Sequence, residues 1–507
     1  MVAAGHPLSA RAGAEALRRG GNAVDGACAA AFAGAVTESM LTGPGGGGFL
    51  LARDPAGHAR MLDFFVAVPG AGPGGRRLDP AELGSFTVPF GGAEQEFHIG
   101  PASVAVPGML PGLVAAARQL GHLPLPELVE PAIRLAREGF TLRPEGEYLH
   151  GILHDMVTHT PEAAAVFEPA GRPPRAGDTL RFPELGDTLE EVAAGPGAAG
   201  ALADAMADHV TAAGGLLNRA DLAAYEVLER TPLETRYRGL QVLTNPPPSR
   251  GGSLIAAALD LLDGWPAPVD DVTHFVAVAE AGREANRLRD AVSQDDLRAD
   301  DALARLRALS AGWASRKPTG TTHVSVVDAD GGSASLSSSN GSGSGVMVPG
   351  TGVLLNNMLG EEDLNPGGFG RLAPGLRMGS MMAPTLLLRD GEPLVVLGSA
   401  GSNRLRSAIL QTVVSVVDGH LGLDEAVRRP RVHPEGGGLD VEAGVSEAAC
   451  ERLQTDGFRL RRWGEANLFF GGVAAAGHEA NGLCGAGDPR RGGGAFGLTR
   501  AGQVVPL

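Results

Sequence analysis

Polar and apolar positions alternate most clearly between residues 321 and 339. The alternation predicts a strand over 321–328, a hairpin turn at Asp330-Gly331 and a returning strand over 333–339. A two-residue turn at that dipeptide pairs Thr321 with Asn340. One face of the first strand then carries Thr321, His323, Ser325 and Val327, and the serines at 337, 338 and 339 return beside Thr321.

Other segments predict helices before residue 260 and mainly strands after residue 321. Residues 8–40 are typical of two helices with Asn22 as the N-cap of the second, and 107–260 are mainly helical. Further predicted elements are two strands within 47–65, strands at 352–355, 384–389 and 393–398, and a helix ending near Gly419. Residues 286–320 are polar and predict an exposed connector. This order indicates a layered α/β fold with packed, helix-covered sheets.

Charge and composition exclude several classes of function. The 507 residues include 42 basic and 58 acidic side chains, a formal net charge of −16, and only 4% aromatic residues. This balance argues against nucleic acids and anionic membranes as partners. Three cysteines are too few for a disulfide framework and lack metal-ligand spacing. Residues 1–20 lack a signal-peptide pattern, so a cytoplasmic protein is expected unless an export signal lies outside the chain.

Thr321 is the candidate nucleophile. A threonine hydroxyl is weakly nucleophilic until a base removes its proton. Cutting the chain between Gly320 and Thr321 would create that base, because a free α-amine titrates near about 7.7–8.0. Glycine at position 320 leaves the carbonyl to be attacked sterically open, and Thr319 is the fallback nucleophile.

The stretch GTTHVSVVD at 320–328 resembles the start of the catalytic subunit in the γ-glutamyltranspeptidase family of N-terminal-nucleophile (Ntn) hydrolases. Ordered matches to the same family are found at 14–27, 42–50, 131–140, 214–225, 229–239, 245–252, 353–357, 380–385, 398–404 and 428–433. The resemblance implies an αββα sandwich built jointly by a large part, 1–320, and a small part, 321–507, after self-cleavage. It also implies a heterodimer, with or without further oligomerisation, that needs no cofactor.

The resemblance also implies roles for individual residues. Ser339 and Asn340 would steady the nucleophile and bind substrate, and Gly401-Ser402 would supply backbone N–H groups to an oxyanion. Ser380 and Glu361 fall near the family's binding positions for the substrate's α-carboxylate and α-amine. His323 is expected to be structural rather than a general base.

One substitution separates this chain from γ-glutamyl-specific members of that family. Phe65 stands where they carry an arginine that clamps the substrate's α-carboxylate. Three interpretations follow. The first is an enzyme of glutathione metabolism that transfers γ-glutamyl groups from small amides or peptides to water or an amine or amino-acid acceptor. The second is an acylase for another acyl amide, and the third is an uncut, inactive binding module.

Two other motifs partly match known types of binding site. The glycine run Gly43–Gly48 lacks the Gly-Lys-Ser/Thr ending of a phosphate loop, so it is predicted to be structural. His150 and His154 are spaced like metal ligands on a helix, but no third ligand motif accompanies them and no metal is expected.

Overall fold

The computed structural model describes residues 1–72, 74–89, 94–291 and 320–507. Most of the predicted connector at 286–320, including Thr319, lies outside the described residues. Its first part is helical, because the helix that begins at Asp271 runs to Ala291.

The helices lie mostly before the candidate nucleophile. They are α1 Pro7–Arg18, α2 Ala23–Thr37, α3 Met109–Leu120, α4 Leu125–Glu138, α5 Pro144–Val157, α6 Pro161–Phe167, α7 Pro183–Ala194, α8 Pro196–Ala212, α9 Arg219–Ala223, α10 Arg250–Asp263, α11 Asp271–Ala291, α12 Arg404–Val417, α13 Leu423–Arg428 and α14 Glu447–Thr455. Asn22 is the predicted N-cap of α2, and its side chain accepts from Val24 N and Asp25 N in a capping box.

The strands are distributed over the whole chain. They are β1 Val2–Ala4, β2 Gly47–Arg53, β3 Ala59–Phe64, β4 Gly84–Pro89, β5 Glu94–Ile99, β6 Phe140–Thr141, β7 Thr179–Leu180, β8 Leu228–Arg230, β9 Leu233–Tyr237, β10 Leu240–Thr244, β11 Thr322–Val327, β12 Ser333–Ser339, β13 Met347–Val348, β14 Val353–Leu354, β15 Thr385–Arg389, β16 Glu392–Ala400, β17 Val432–Glu435, β18 Gly438–Val441, β19 Leu460–Arg462, β20 Gly472–Glu479, β21 Gly482–Gly487, β22 Gly494–Leu498 and β23 Val504–Pro506.

Two antiparallel sheets form the centre of the molecule. The first has the order β23-β22-β1-β11-β12-β2-β3-β8, and the second has the order β21-β20-β16-β15-β10-β9. Strands β11 and β12 of the first sheet pack face to face on β16, and β11 also packs on β20. Helices α1 and α2 cover the outer face of the first sheet, while α10 and α12 cover the second. The predicted αββα sandwich is therefore confirmed.

The predicted register of the central hairpin is wrong by one residue. In the structure Thr322 pairs with Ser338 and Val327 with Ser333, which places Thr321 beside Ser339 instead of Asn340. The cause is the turn. Asp328 Oδ1 accepts from Asp330 N and Gly332 N, and Gly331 adopts φ +85°, so three residues rather than two form the loop.

The second predicted hairpin has the expected turn. Arg389 pairs with Glu392 across Asp390-Gly391, and both turn residues have positive φ, +53° and +83°, as a type I′ turn requires. Strand β16 is two residues longer at its end than predicted, and it leads directly into the Gly401-Ser402 turn before α12.

Candidate active site

Thr321 and Ser339 converge on one carbonyl oxygen. The Thr321 hydroxyl donates to the Gly320 carbonyl over 2.7 Å, and the Ser339 hydroxyl donates to the same oxygen. Gly341 N in turn donates to Ser339 Oγ over 2.8 Å, which fixes that hydroxyl. The carbonyl of the Gly320–Thr321 peptide bond thus accepts from two hydroxyls and is polarised by them. One of these hydroxyls belongs to Thr321, the predicted nucleophile.

The same end of the first sheet carries Phe65. Cross-strand pairing sets Ser339 opposite Gly47 and Gly48 opposite Phe64, so Thr321, Ser339, Gly47 and Phe65 fall in one row across four chain segments. Alternation directs this row between the two sheets. Phe65 is 1% exposed and stacks on Phe49 with ring centroids 5.4 Å apart.

Arg377 lies near this row, and its guanidinium contacts Asp63 and Tyr225. Its guanidinium donates to Asp63 Oδ1 over 2.9 Å and to the Asp63 carbonyl over 2.7 Å, and it stacks over the Tyr225 ring. The position of the missing clamp is therefore occupied by apolar aromatic surface.

Ser339, and not Asn340, is opposite Thr321 in the hairpin, and the role predicted for Asn340 stays a prediction. The Asn340 amide lies against the glycine run, where a Cβ on Gly43 would be 3.2 Å from Nδ2 and a Cβ on Gly46 would collide with Oδ1. The glycines at 43 and 46 are needed for this close approach. Both observations agree with the structural role predicted for the glycine run.

Glu361 and Gly320 both lie against Gly341. A Cβ on Gly341 would stand 2.7 Å from Glu361 Oε1, and a Cβ on Gly320 would stand 2.6 Å from the Gly341 carbonyl. The Glu361 side chain is buried. Ser380 is buried too, and its hydroxyl accepts from Met382 N. It belongs to the segment that runs beside Val66, because Met378 N donates to the Val66 carbonyl.

The Gly401-Ser402 turn lies at the same end of the sandwich as Thr321. The Ser335 hydroxyl donates to the Leu397 carbonyl, and the next residue, Gly398, packs directly on the His323 ring. Strand β16 therefore runs toward the start of β11 as it approaches the turn. Gly401 and Ser402 have φ values of +113° and +51°, and α12 begins two residues later. Backbone N–H groups at such a turn can hold an oxyanion.

A sequence model of the gamma-glutamyltranspeptidase family matches residues 9–498. The chain belongs to this family. It is 34% identical to an acylase ACY 1 proenzyme of Pseudomonas sp. (strain SE83), over 91% of this chain and 87% of that one. It is 31% identical to a glutathione hydrolase proenzyme of Escherichia coli (strain K12), over 91% and 85%. A cephalosporin acylase structure from Bacillus halodurans superposes with a TM-score of 0.82, at 27% identity, over 99% of this chain and 95% of that one.

In this family member, Asp363 is an active-site neighbour whose role the sequence did not indicate. Its carboxylate accepts from Ser402 Oγ over 2.6 Å and from Asn403 Nδ2 over 2.9 Å, so it holds the Gly401-Ser402 turn in place. Burial raises the pKa of Asp363 to about 6, although the Ser402 hydrogen bond opposes this. The residue was visible in the sequence as one of several acids after Asn357, without a sign of its partner.

His323 has the environment of a structural residue. Its ring contacts Ser337 Oγ at 2.8 Å and Ser325 Oγ at 3.0 Å, and complete burial lowers its pKa to about 3. An imidazole that stays neutral and bonded to two serines fixes the space between the sheets. His154 lies 3.2 Å from Glu168, and within 1–72, 74–89, 94–291 and 320–507 no group of three potential ligands is placed to hold a metal ion.

None of the described helices is both long and apolar enough to cross a bilayer.

Proposed function

We propose that this γ-glutamyltranspeptidase family member is a self-processing threonine amidohydrolase that forms its acyl-enzyme on Thr321. The observation that carries the proposal is the contact of the Thr321 and Ser339 hydroxyls with the Gly320 carbonyl oxygen. It unites a nucleophile, its target bond and a hydrogen-bond donor that polarises the target.

Self-cleavage would begin with attack of Thr321 Oγ1 on the Gly320 carbonyl carbon. The C–N bond breaks, the Thr321 nitrogen takes up a proton and becomes a free amine, and the Gly320 acyl group is left as an ester on the hydroxyl. Water then hydrolyses the ester, releasing the carboxylate of residue 320. Ser339 Oγ, held by Gly341 N, stabilises the developing oxyanion.

The mature enzyme would repeat this chemistry on a substrate amide. The new α-amine removes the proton of Thr321 Oγ1, the hydroxyl attacks the substrate carbonyl, and the same proton passes to the leaving amine. The backbone N–H groups of Gly401 and Ser402 would hold the oxyanion. Water, or an amine acceptor, then releases the acyl group from Thr321.

The acyl group favoured by the site is one other than γ-glutamyl. Phe65 replaces the carboxylate clamp, is fully buried and stacks on Phe49, and burying an unpaired carboxylate there would be strongly unfavourable. The acylase relative supports this candidate. A γ-glutamyl substrate is the second candidate, and the buried carboxylate of Glu361 beside Gly341 supports it, because a carboxylate would pair with the substrate's α-amine.

Intact mass of the purified protein tests the proposal. Wild type should give two fragments that separate between residues 320 and 321, whereas Thr321→Ala should remain one chain. Thr321→Ser keeps a hydroxyl and should still be cut. One 507-residue chain in all three proteins would reject self-processing and favour the inactive binding module.

Substrate choice is tested by restoring the missing arginine. Phe65→Arg should raise kcat/KM for a γ-glutamyl anilide relative to a panel of plain acyl anilides, because it returns a bidentate carboxylate partner. Phe65→Leu is the control, since it removes the ring without adding charge. Equal changes in both variants would refute the role assigned to Phe65, and the melting temperature of each reports whether the fold tolerates the change.

A further inference from the structure

A short segment after α2, Glu38–Thr42, lies beneath the start of β11 and the end of β12. We call it the platform segment. Its backbone folds back on itself, with Leu41 N and Thr42 N donating to the Glu38 carbonyl over 2.7 and 3.1 Å. The segment follows the buried helix α2, which packs on β11 and β12, so a rigid element supports it.

Two side chains of the platform segment hold the residues adjacent to the catalytic pair. Glu38 Oε1 accepts from the Thr322 hydroxyl over 2.8 Å, and Thr42 Oγ1 lies 2.8 Å from Ser338 Oγ. Thr322 and Ser338 are paired across the hairpin. They face away from the space between the sheets, whereas Thr321 and Ser339, their chain neighbours, face into it.

The same segment also touches the cleavage point. The Leu41 carbonyl accepts from Asn340 N over 2.8 Å, and a Cβ on Gly320 would be 2.9 Å from Leu41 Cδ2. The platform segment thus contacts the chain on both sides of Thr321 and on both sides of Ser339. A displacement of Glu38 would be transmitted to the nucleophile through Thr322.

Glu38 further lies beside Arg491, which reaches the proposed oxyanion turn. Both residues line a partly open cavity of about 60 Å³, where the positive charge of Arg491 opposes the rise in the pKa of Glu38. A Cβ on Gly401 would be 3.4 Å from Arg491 Nη2. Glu38 and Arg491 therefore lie in one cavity between the strand of the nucleophile and the turn that would stabilise the oxyanion.

We propose that Glu38 is a positioning residue of this enzyme, which holds Thr321 in register with its target carbonyl through Thr322. The inference rests on the proposed function. Glu38 contacts the face of β11 that is opposite to Thr321 Oγ1. It therefore positions Thr321 and does not act as a general base.

The test compares the rate of self-cleavage and the steady-state constants of wild type, Glu38→Ala, Thr322→Val and Thr322→Ser. The precursor is made by cell-free synthesis, so that cleavage is followed from the start. A hydrogen bond to a charged group is worth about 1.5–3 kcal/mol, so Glu38→Ala and Thr322→Val should each slow cleavage and lower kcat roughly tenfold to a hundredfold. KM should change by less than about twofold, and Thr322→Ser should keep the wild-type rate because it keeps the hydroxyl.

The double variant and a matched control sharpen the test. Thr322→Val in the Glu38→Ala background should add no further loss, because both changes remove the same contact. Glu145→Gln is the control. Glu145 lines the same cavity but has no contact with Thr322, so cleavage should proceed at the wild-type rate.

The pH dependence of precursor cleavage gives an independent readout. Burial raises the pKa of Glu38 to about 7, while the Thr322 hydrogen bond and Arg491 oppose the shift. The other groups facing Glu38 from this cavity are His6, Arg143, Glu145 and His150, and burial lowers the pKa of both histidines to about 4. Before cleavage Thr321 has no free amine, and Asp363 beside Ser402 has a pKa of about 6. An inflection near pH 7, with faster cleavage above it, is expected from Glu38. It should disappear in Glu38→Gln.

The outcomes separate the two proposals. An uncut wild-type chain would refute the proposed function itself. Normal cleavage and kcat in Glu38→Ala and Thr322→Val, alongside a wild type that is cut, would overturn only the positioning role. Additive losses in the double variant, or equal losses in Glu145→Gln, would also overturn it.

Discussion

Two carboxylates near the nucleophile lower the stability of the folded protein when they are ionised. Glu38 and Asp363 are both partly buried, and burial raises their pKa values to about 7 and about 6. Each is bonded to a hydroxyl next to the catalytic groups, Thr322 and Ser402. Groups that weaken a fold while ordering its active site are typical of functional positions.

Glu38→Gln should therefore make the protein more stable at neutral and alkaline pH. The pKa of Glu38 is higher in the folded chain than its ordinary value of 4.5, so the folded state binds the extra proton and stability falls as pH rises from about 4.5 to about 7. Above that range the charged group costs roughly 3 kcal/mol, which is the upper bound of the gain. Urea unfolding of wild type and variant in the Thr321→Ala background, as a function of pH, measures it.

Well below pH 4.5, the two proteins should have the same free energy of unfolding within error, because Glu38 is then protonated in both the folded and the unfolded wild type. A variant that is less stable than the wild type at every pH would contradict the raised pKa. It would give Glu38 a purely structural role.

Among the elements, strands β11 and β16 make the tightest approach between the two sheets around the site. A Cβ on Gly398 would be 2.7 Å from His323 Nε2 and closer still to two other ring atoms. The ring is fixed by Ser325 and Ser337, so it has no room to yield. This contact sets the spacing that brings the Gly401-Ser402 turn near Thr321.

Gly398→Ala should lower the free energy of unfolding by about 1–3 kcal/mol, the usual cost of overpacking a rigid interior. Gly151→Ala is the matched control, because Gly151 is exposed within α5 and a Cβ there meets no atom within 4 Å. That change should raise stability by up to about 1 kcal/mol through helix propensity. Thermal and urea unfolding measure the change in the free energy of unfolding for both variants. Equal changes at both positions would show that β11 and β16 are not tightly packed at Gly398.

In the whole molecule, residues from both sides of the cleavage point alternate within the first sheet. Strand β1 lies between β11 and β22, and β2 pairs with β12 along seven residues. The buried hydrophobic residues of the described chain form three core clusters, and each contains side chains from before and after Thr321. Neither half keeps its sheet or its core without the other.

The two fragments produced by cleavage should therefore remain together as a heterodimer. Size-exclusion chromatography in native buffer should give one peak containing both, and only denaturant should separate them. Thr321→Ala, uncut, should elute at the same volume. Separate peaks for the fragments in native buffer would contradict the interleaved sheet.

The sequence by itself determined the elements and the identity of the candidate nucleophile. Alternation over 321–339, the Asp390-Gly391 turn and the Asn22 cap are local patterns, since side-chain period and turn chemistry depend on near neighbours. The family motifs identified the chemistry for the same reason, as they lie within short runs of residues. One local error, the register at Asp330-Gly331, arose because Asp328 bonds to Asp330 N and Gly332 N and lengthens the turn.

Only the tertiary structure decided which distant residues surround Thr321. Glu38 and Thr322 are 284 positions apart, and Asp363 meets Ser402 from another loop. Packing of α2 under the first sheet and of the second sheet above it creates these contacts, and no periodicity along the chain encodes them. The hairpin register places Ser339 rather than Asn340 opposite Thr321, and packing places the Asn340 amide against Gly43 and Gly46.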